Sequence, residues 1–242
     1  MRFDAYPYGR VASFYDELAG FYSRGRIERT KRHFLNLLGP GDRVLFVGVG
    51  RGSEAIEAAA AGARVTAIDL SSAMLARFER ALEARGLDAI TIQGDVARHR
   101  PEIPYDAVVA HYFLNLYRLD VAEAMLLLMS DMLKPEGRLL LADFARPEPG
   151  AWSRWTTTVY YRTANAIAWA LGFCAWHGIP DYEVLLPRAG LGIESRVRFP
   201  VFGSDGPAYV AIAARRLEAQ GAVSRPVGES EPPAPASADE AS

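Results

Sequence analysis

Apolar positions along most of the chain follow two alternating periods. Short β-branched runs at residues 43–47, 64–68, 89–93, 106–110 and 138–142 predict strands, and residues 53–61, 72–85 and 120–133 between them carry apolar side chains at helical spacing. This alternation implies a parallel sheet with crossover helices on both faces. Ser71 or Ser72 caps the second of these helices and Gly86 closes it. Residues 193–199 and 208–214 predict a terminal strand pair, so the count reaches seven.

Three segments fall outside the repeat. Residues 8–38 show helical spacing and no strand signal, which predicts a helical cap over residues 1–38, across an edge or the mouth of the sheet. About 50 residues rich in Trp and Tyr separate the fifth strand from the terminal pair, including Trp152, Trp155, Tyr160, Tyr161, Trp169, Phe173 and Trp176. We expect a helical, aromatic insertion over 151–182 inside a core of 39–216, either closing over an apolar acceptor or covering the sheet edge. From 217 to 242 periodicity gives way to Pro, Ser, Ala and acids, a composition that predicts a disordered tail.

Composition narrows the chemistry. Half of the 242 residues are apolar, enough for a sizeable core, and 27 basic against 29 acidic side chains leave a net charge of −2, with no pull toward nucleic acid. The lone Cys174 excludes an intramolecular disulfide and a cysteine-cluster metal site; with no apolar leader behind Met1, a cytoplasmic setting is expected. The longest apolar stretch, 164–176, falls short of the roughly 20 residues of a membrane span, which leaves peripheral membrane contact open. His33, His99 and His177 have no metal-ligand spacing, so no metal is expected, and no G-x-S-x-G elbow is present.

Three glycines, Gly48, Gly50 and Gly52, join the first strand to its helix, a turn whose backbone can approach a nucleotide-like ligand. Ser53 breaks the dinucleotide fingerprint, and the phosphate-loop ending is missing. Asp69 ends the second strand, where a carboxylate can accept ribose hydroxyls or simply open a helix, and Gly94-Asp95-Val96 repeats the placement after the third strand. His111 and Tyr112 follow the fourth strand. The histidine is the candidate proton acceptor for a phenol, enol or amine, or else a structural histidine, and Tyr112 is the weaker catalytic candidate.

Taken in order, VLFVGVGRG, VTAIDLSSAML, Gly94-Asp95, YDAVVA and LKPEGRLLLADF resemble the class I S-adenosylmethionine-dependent methyltransferases over roughly residues 10–215. The resemblance implies a Rossmann-like α/β fold: a seven-stranded mostly parallel sheet with helices on both faces and an antiparallel terminal strand pair. It implies S-adenosyl-L-methionine as cofactor, with Gly48, Gly50 and Gly52 beside the methionine part, Asp69 on ribose, Leu70 and Met74 flanking adenine, and Asp95 with Val96 at its edge. Phe46 stands where the family commonly has an acid. Ser13 to Ala19 and Ser23-Arg24-Gly25-Arg26 resemble the branch of quinone C-methyltransferases and phospholipid N-methyltransferases, which makes Tyr15 a cofactor-side candidate and a quinone-like ring or lipid head group the expected acceptor. A cofactor-binding regulatory or scaffold protein without turnover and an NAD-dependent oxidoreductase are the competing readings.

Overall fold

The structure is a computed structural model that describes residue 23 and residues 25–170, 178–203 and 205–217. Tyr15 and the expected tail from 218 onward lie outside the described residues. Helix α1 (Arg26–Arg32) precedes β1 (Arg43–Val47), α2 (Ser53–Ala60), β2 (Arg64–Asp69), α3 (Ser72–Glu83), β3 (Ile90–Gln93) and β4 (Tyr105–His111). Then come α4 (Leu119–Asp131), β5 (Leu133–Phe144), α5 (Ala151–Ala170), α6 (Tyr182–Arg188), β6 (Leu191–Pro200) and β7 (Ala208–Arg216).

The seven strands lie in the order β3-β2-β1-β4-β5-β7-β6, with β7 antiparallel to both neighbours and the other pairings parallel. This is the Rossmann-like class I methyltransferase architecture expected from the sequence. Alternate residues of each strand face opposite sides. Leu45, Val47, Val108 and Leu139 pack with Met125, Met129 and Leu186 from α4 and α6, whereas Val44, Phe46, Val65 and Val109 pack with Ile56, Leu75 and Phe78 from α2 and α3.

Two local features depart from the sequence pattern. Strand β5 begins at Leu133 rather than 138, because Leu133 pairs with Tyr105 ahead of a register shift; the turn-like Pro135-Glu136-Gly137 conceals this continuation. Phe46 is 5% exposed and wholly part of the α2–α3 core, so the position offers no polar group to a ligand. Ser71 caps α3, accepting from the Met74 amide at 3.3 Å, and Gly86 closes that segment at φ 62°. No helix among the described residues is long and apolar enough to cross a membrane.

The turn after β1 is fitted to the core at Gly52. Its φ is +72°, and a Cβ there would lie 2.2 Å from Cδ2 of Phe78, a ring that is fully buried. Gly52→Ala combines left-handed backbone strain with overpacking and should cost about 2–4 kcal/mol in urea unfolding. An unchanged midpoint would mean that Phe78 yields freely and does not set the shape of the turn.

Candidate cofactor and acceptor site

The three glycines of the turn are required for different reasons. Gly48 has φ +67°, and a Cβ there would come 2.9 Å from Phe113, just as one at Gly52 would strike Phe78. Gly50, at φ +53°, differs: among the described residues a Cβ there would meet only the Gly48 carbonyl oxygen, at 4.0 Å, so they leave the space beside it open. A cradle of this kind accepts a ligand against main chain.

Asp69, at the end of β2, ties the neighbouring strand ends together. Its Oδ1 accepts from the Ser71 amide at 2.9 Å and its Oδ2 from the Gly50 amide at 3.3 Å, while its carbonyl oxygen accepts from the Gly94 amide at 3.0 Å. A carboxylate offers about four acceptor positions, so capacity remains for hydroxyl donors. Burial pushes the Asp69 carboxyl above the usual range, outweighing the amide hydrogen bonds from Ser71, Gly50 and Leu70. Next to it Leu70 is 46% exposed and Met74 is half-buried in the first turn of α3. Across from these, Asp95 caps a short 3-10 turn, with Oδ1 accepting from the Ala97 amide at 2.9 Å, and Val96 is buried in the core. The structure thus joins Gly50, Asp69 and Gly94 by hydrogen bonds and sets Leu70, Met74 and Asp95 beside them.

His111 closes β4 and faces a charge pair that the sequence reasoning missed. Glu54, in the first turn of α2, is 6% exposed, and its Oε1 lies 3.3 Å from Lys31 Nζ on α1. Burial raises the Glu54 carboxyl, but Lys31 and then His111 more than offset that and hold it below the usual range. Burial is also the main influence on His111, lowering it to about 4 against the upward pull of Glu54. The imidazole is therefore neutral near pH 7. The available signal was an acid on the apolar stripe of Ala55, Ile56 and Ala58, immediately after a glycine turn.

Tyr112 adopts φ +51°, donates its amide to the Ala142 carbonyl at 2.7 Å, and sets its ring edge-on to Phe144 and Tyr209 at 6.3 and 5.8 Å. Burial, and then the nearby Asp143, push its phenol well above the ordinary range, so it stays protonated. Asp143, also missed, is 2% exposed; Oδ2 accepts from the Tyr182 hydroxyl, Oδ1 accepts from the Phe144 amide at 2.7 Å, and burial raises the carboxyl to about 7. A single acid near the end of the apolar run LLLADF was its signal.

Beyond this aromatic floor a cavity of about 420 Å³ runs along α5, lined by Arg146, Thr157, Tyr161, Arg162, Asn165 and Ile179 among others. Tyr161 contacts Phe144 with ring centroids 5.0 Å apart, which joins the cavity to the ends of β4 and β5. The expected aromatic lining comes from tyrosine. Trp152, Trp155 and Trp169 are 68%, 60% and 58% exposed and do not line the cavity, while Phe173 and Trp176 lie outside the described residues.

Comparison with known proteins bears on the family and the fold. Residues 44–137 match the family described as "Methyltransferase domain". A demethylmenaquinone methyltransferase of Renibacterium salmoninarum is 32% identical over 65% of this chain and 68% of its own length. One of Thermus thermophilus is 32% identical over 81% of this chain and 95% of its own. Among solved structures, magnesium protoporphyrin IX methyltransferase from Synechocystis with bound S-adenosylhomocysteine superimposes with a TM-score of 0.65 over 86% of this chain and 96% of that one, at 20% identity. That last likeness concerns the fold alone. Its relatives and its architecture together place this chain in the class I S-adenosylmethionine-dependent methyltransferases, with a quinone-methyltransferase-like sequence.

Proposed function

We propose that this enzyme methylates a small, quinone-like aromatic ring, taking the methyl group from S-adenosyl-L-methionine held across the ends of β1, β2 and β3. The observation that carries the reading is the Asp69 tie, which holds the Gly50 turn and a carboxylate with acceptor capacity to spare at the ends of β1, β2 and β3. In this reading Gly48, Gly50 and Gly52 border the methionine moiety, Asp69 accepts the ribose hydroxyls, Leu70 and Met74 flank adenine, and Asp95 and Val96 hold its edge. The bound cofactor supplies an electrophilic methyl group on a sulfonium. Relatives named as demethylmenaquinone methyltransferases support the choice of acceptor and favour turnover over a scaffold role. A cytoplasmic setting fits the lone Cys174.

The protein's own work is positioning, exclusion of water and handling of one proton. A hydroquinone ring carbon becomes nucleophilic as its phenolic proton leaves, and once methylated it sheds its own hydrogen as a proton while the phenolic oxygen regains one, so the net release is one proton. His111, neutral and backed by the ionised Glu54, accepts the phenolic proton; Tyr112 and Phe144 present the ring edge-on, and Tyr161 bounds it on the cavity side. The same chemistry makes the insertion over 151–182, through Tyr161 rather than through its tryptophans, the segment that selects the acceptor.

Two measurements check the assignments. With Asp69 ionised in the complex and its carboxyl raised in the free protein, S-adenosylhomocysteine affinity should fall with decreasing pH, beginning above the ordinary aspartate range. Asp69→Asn should lose about 1.5–3 kcal/mol at neutral pH and flatten this dependence. Calorimetry showing wild-type affinity in folded Asp69→Asn would remove Asp69 from the site.

For the chemistry, purified protein, S-adenosylmethionine and a reduced demethylnaphthoquinone should yield S-adenosylhomocysteine and a singly methylated ring. His111→Asn should slow turnover by roughly 10²–10⁴, the usual yield of general acid–base catalysis. Because His111 loses its proton near pH 4, the ratio of wild-type to variant rates should stay constant from pH 6 to 8. A ratio that climbs through the ordinary histidine range would show an imidazole that titrates there and a different local environment. Absence of methylated quinone despite cofactor binding would overturn the acceptor.

A further inference from the structure

Helix α5 is built inside out. The side facing the protein carries Ser153, Thr157, Tyr160, Tyr161 and Asn165, all buried, whereas Trp152, Trp155, Val159 and Trp169 stand 48% to 68% exposed. At 100° per residue these four side chains fall within about 60° of one line along the helix, so they form an apolar stripe interrupted by Arg162. Trp152 and Trp155 stack on one another with centroids 5.6 Å apart, covering part of their surface without removing it from solvent. Arg162 lies within the stripe, Arg154 stands exposed in the first turn about 110° around the helix from it, and the helix has no Asp or Glu, although the whole chain carries a net charge of −2.

Exposed tryptophan on one face of a cationic helix has a specific physical use. The indole ring is apolar with a single polar N–H and favours the headgroup region of a bilayer, and arginine beside it pairs with anionic lipid phosphates. We propose that the Trp152–Trp155–Val159–Trp169 face of α5 docks on the surface of an anionic lipid bilayer, with the helix lying in the plane of the interface. This rests on the exposed face itself and stands whatever acceptor the enzyme uses. The adjoining side of the same helix, through Thr157, Tyr161, Arg162 and Asn165, walls the cavity beyond the aromatic floor. Docking would bring that cavity to the lipid boundary, where an apolar acceptor is concentrated.

The test uses the full chain and large unilamellar vesicles of phosphatidylglycerol mixed with phosphatidylcholine, or of phosphatidylcholine alone. All four tryptophans of the protein lie between 152 and 176, so intrinsic fluorescence reports on this segment. The protein should float with the anionic vesicles, weakly or not at all with the neutral ones, with a blue shift in emission and a loss of binding as salt rises. The double variant Trp155→Ser with Trp169→Ser, and separately Arg154→Glu, should each lower partitioning by about tenfold or more. Thermal midpoint and S-adenosylhomocysteine affinity should stay at the wild-type values, since these side chains are exposed. No flotation with anionic vesicles would overturn the proposal, as would flotation unchanged in both variants. A dimer that Trp155→Ser dissociates, in a protein that ignores vesicles, would assign the face to a second copy of the chain instead.

Discussion

A single residue, Asp69, fixes the geometry on which the site depends. Its two carboxylate oxygens and its carbonyl oxygen accept from amides in the loops after β1, β2 and β3, so three strand ends that would otherwise diverge with the twist of the sheet are held as one surface. The arrangement has a cost, visible in the raised carboxyl of Asp69: burial disfavours the charge, and the amides only partly offset it. The glycine turn supplies the complementary constraint. Phe113 and Phe78 fill the space that side chains at Gly48 and Gly52 would need, and of the three only Gly50 faces space that no described residue fills.

From that surface the site divides by polarity. Toward β3 it offers hydrogen-bond acceptors and the apolar pair Leu70 and Met74, a combination suited to a nucleoside. Toward β5 it offers rings: Tyr112 meets Phe144 and Tyr209 edge to face, Phe144 meets Tyr161 likewise and Tyr209 at a tilt, with the Asp143–Tyr182 hydrogen bond buried behind them. Between the halves stands the charge-coupled group of Lys31, Glu54 and His111, drawn from α1, α2 and β4. Residues from three separate segments meet there, so helix α1 completes the site as well as packing against the sheet.

Much of this was legible in the sequence, because strand and helix periods, the Ser71 cap and the glycine turn are local features. Glu54 and Asp143 were harder to read. Each is one acid in an apolar run, and only the assembled sheet reveals that Lys31 or Tyr182 comes to meet it. The start of β5 was hidden for a related reason: Pro135 and Gly137 signal a turn, and the pairing of Leu133 with Tyr105 is a tertiary fact. Helix α5 is the most instructive case. Periodicity identifies which residues share a face but carries no label for inside, and the usual assumption that tryptophan is buried led to the opposite orientation from the one the structure adopts.

A nucleoside site organised by Asp69 at the ends of three strands, with the acceptor on the far side of His111, has one decisive structural signature. A crystal structure of the protein with S-adenosylhomocysteine tests it most directly. Both ribose hydroxyls should lie within hydrogen-bond distance of the Asp69 carboxylate, with adenine between Leu70 and Met74, main chain of Gly50 against the ligand, and the sulfur turned toward His111 and the aromatic floor. A ribose held by other residues, with Asp69 bonded only to the amides of Gly50 and Ser71, would contradict it.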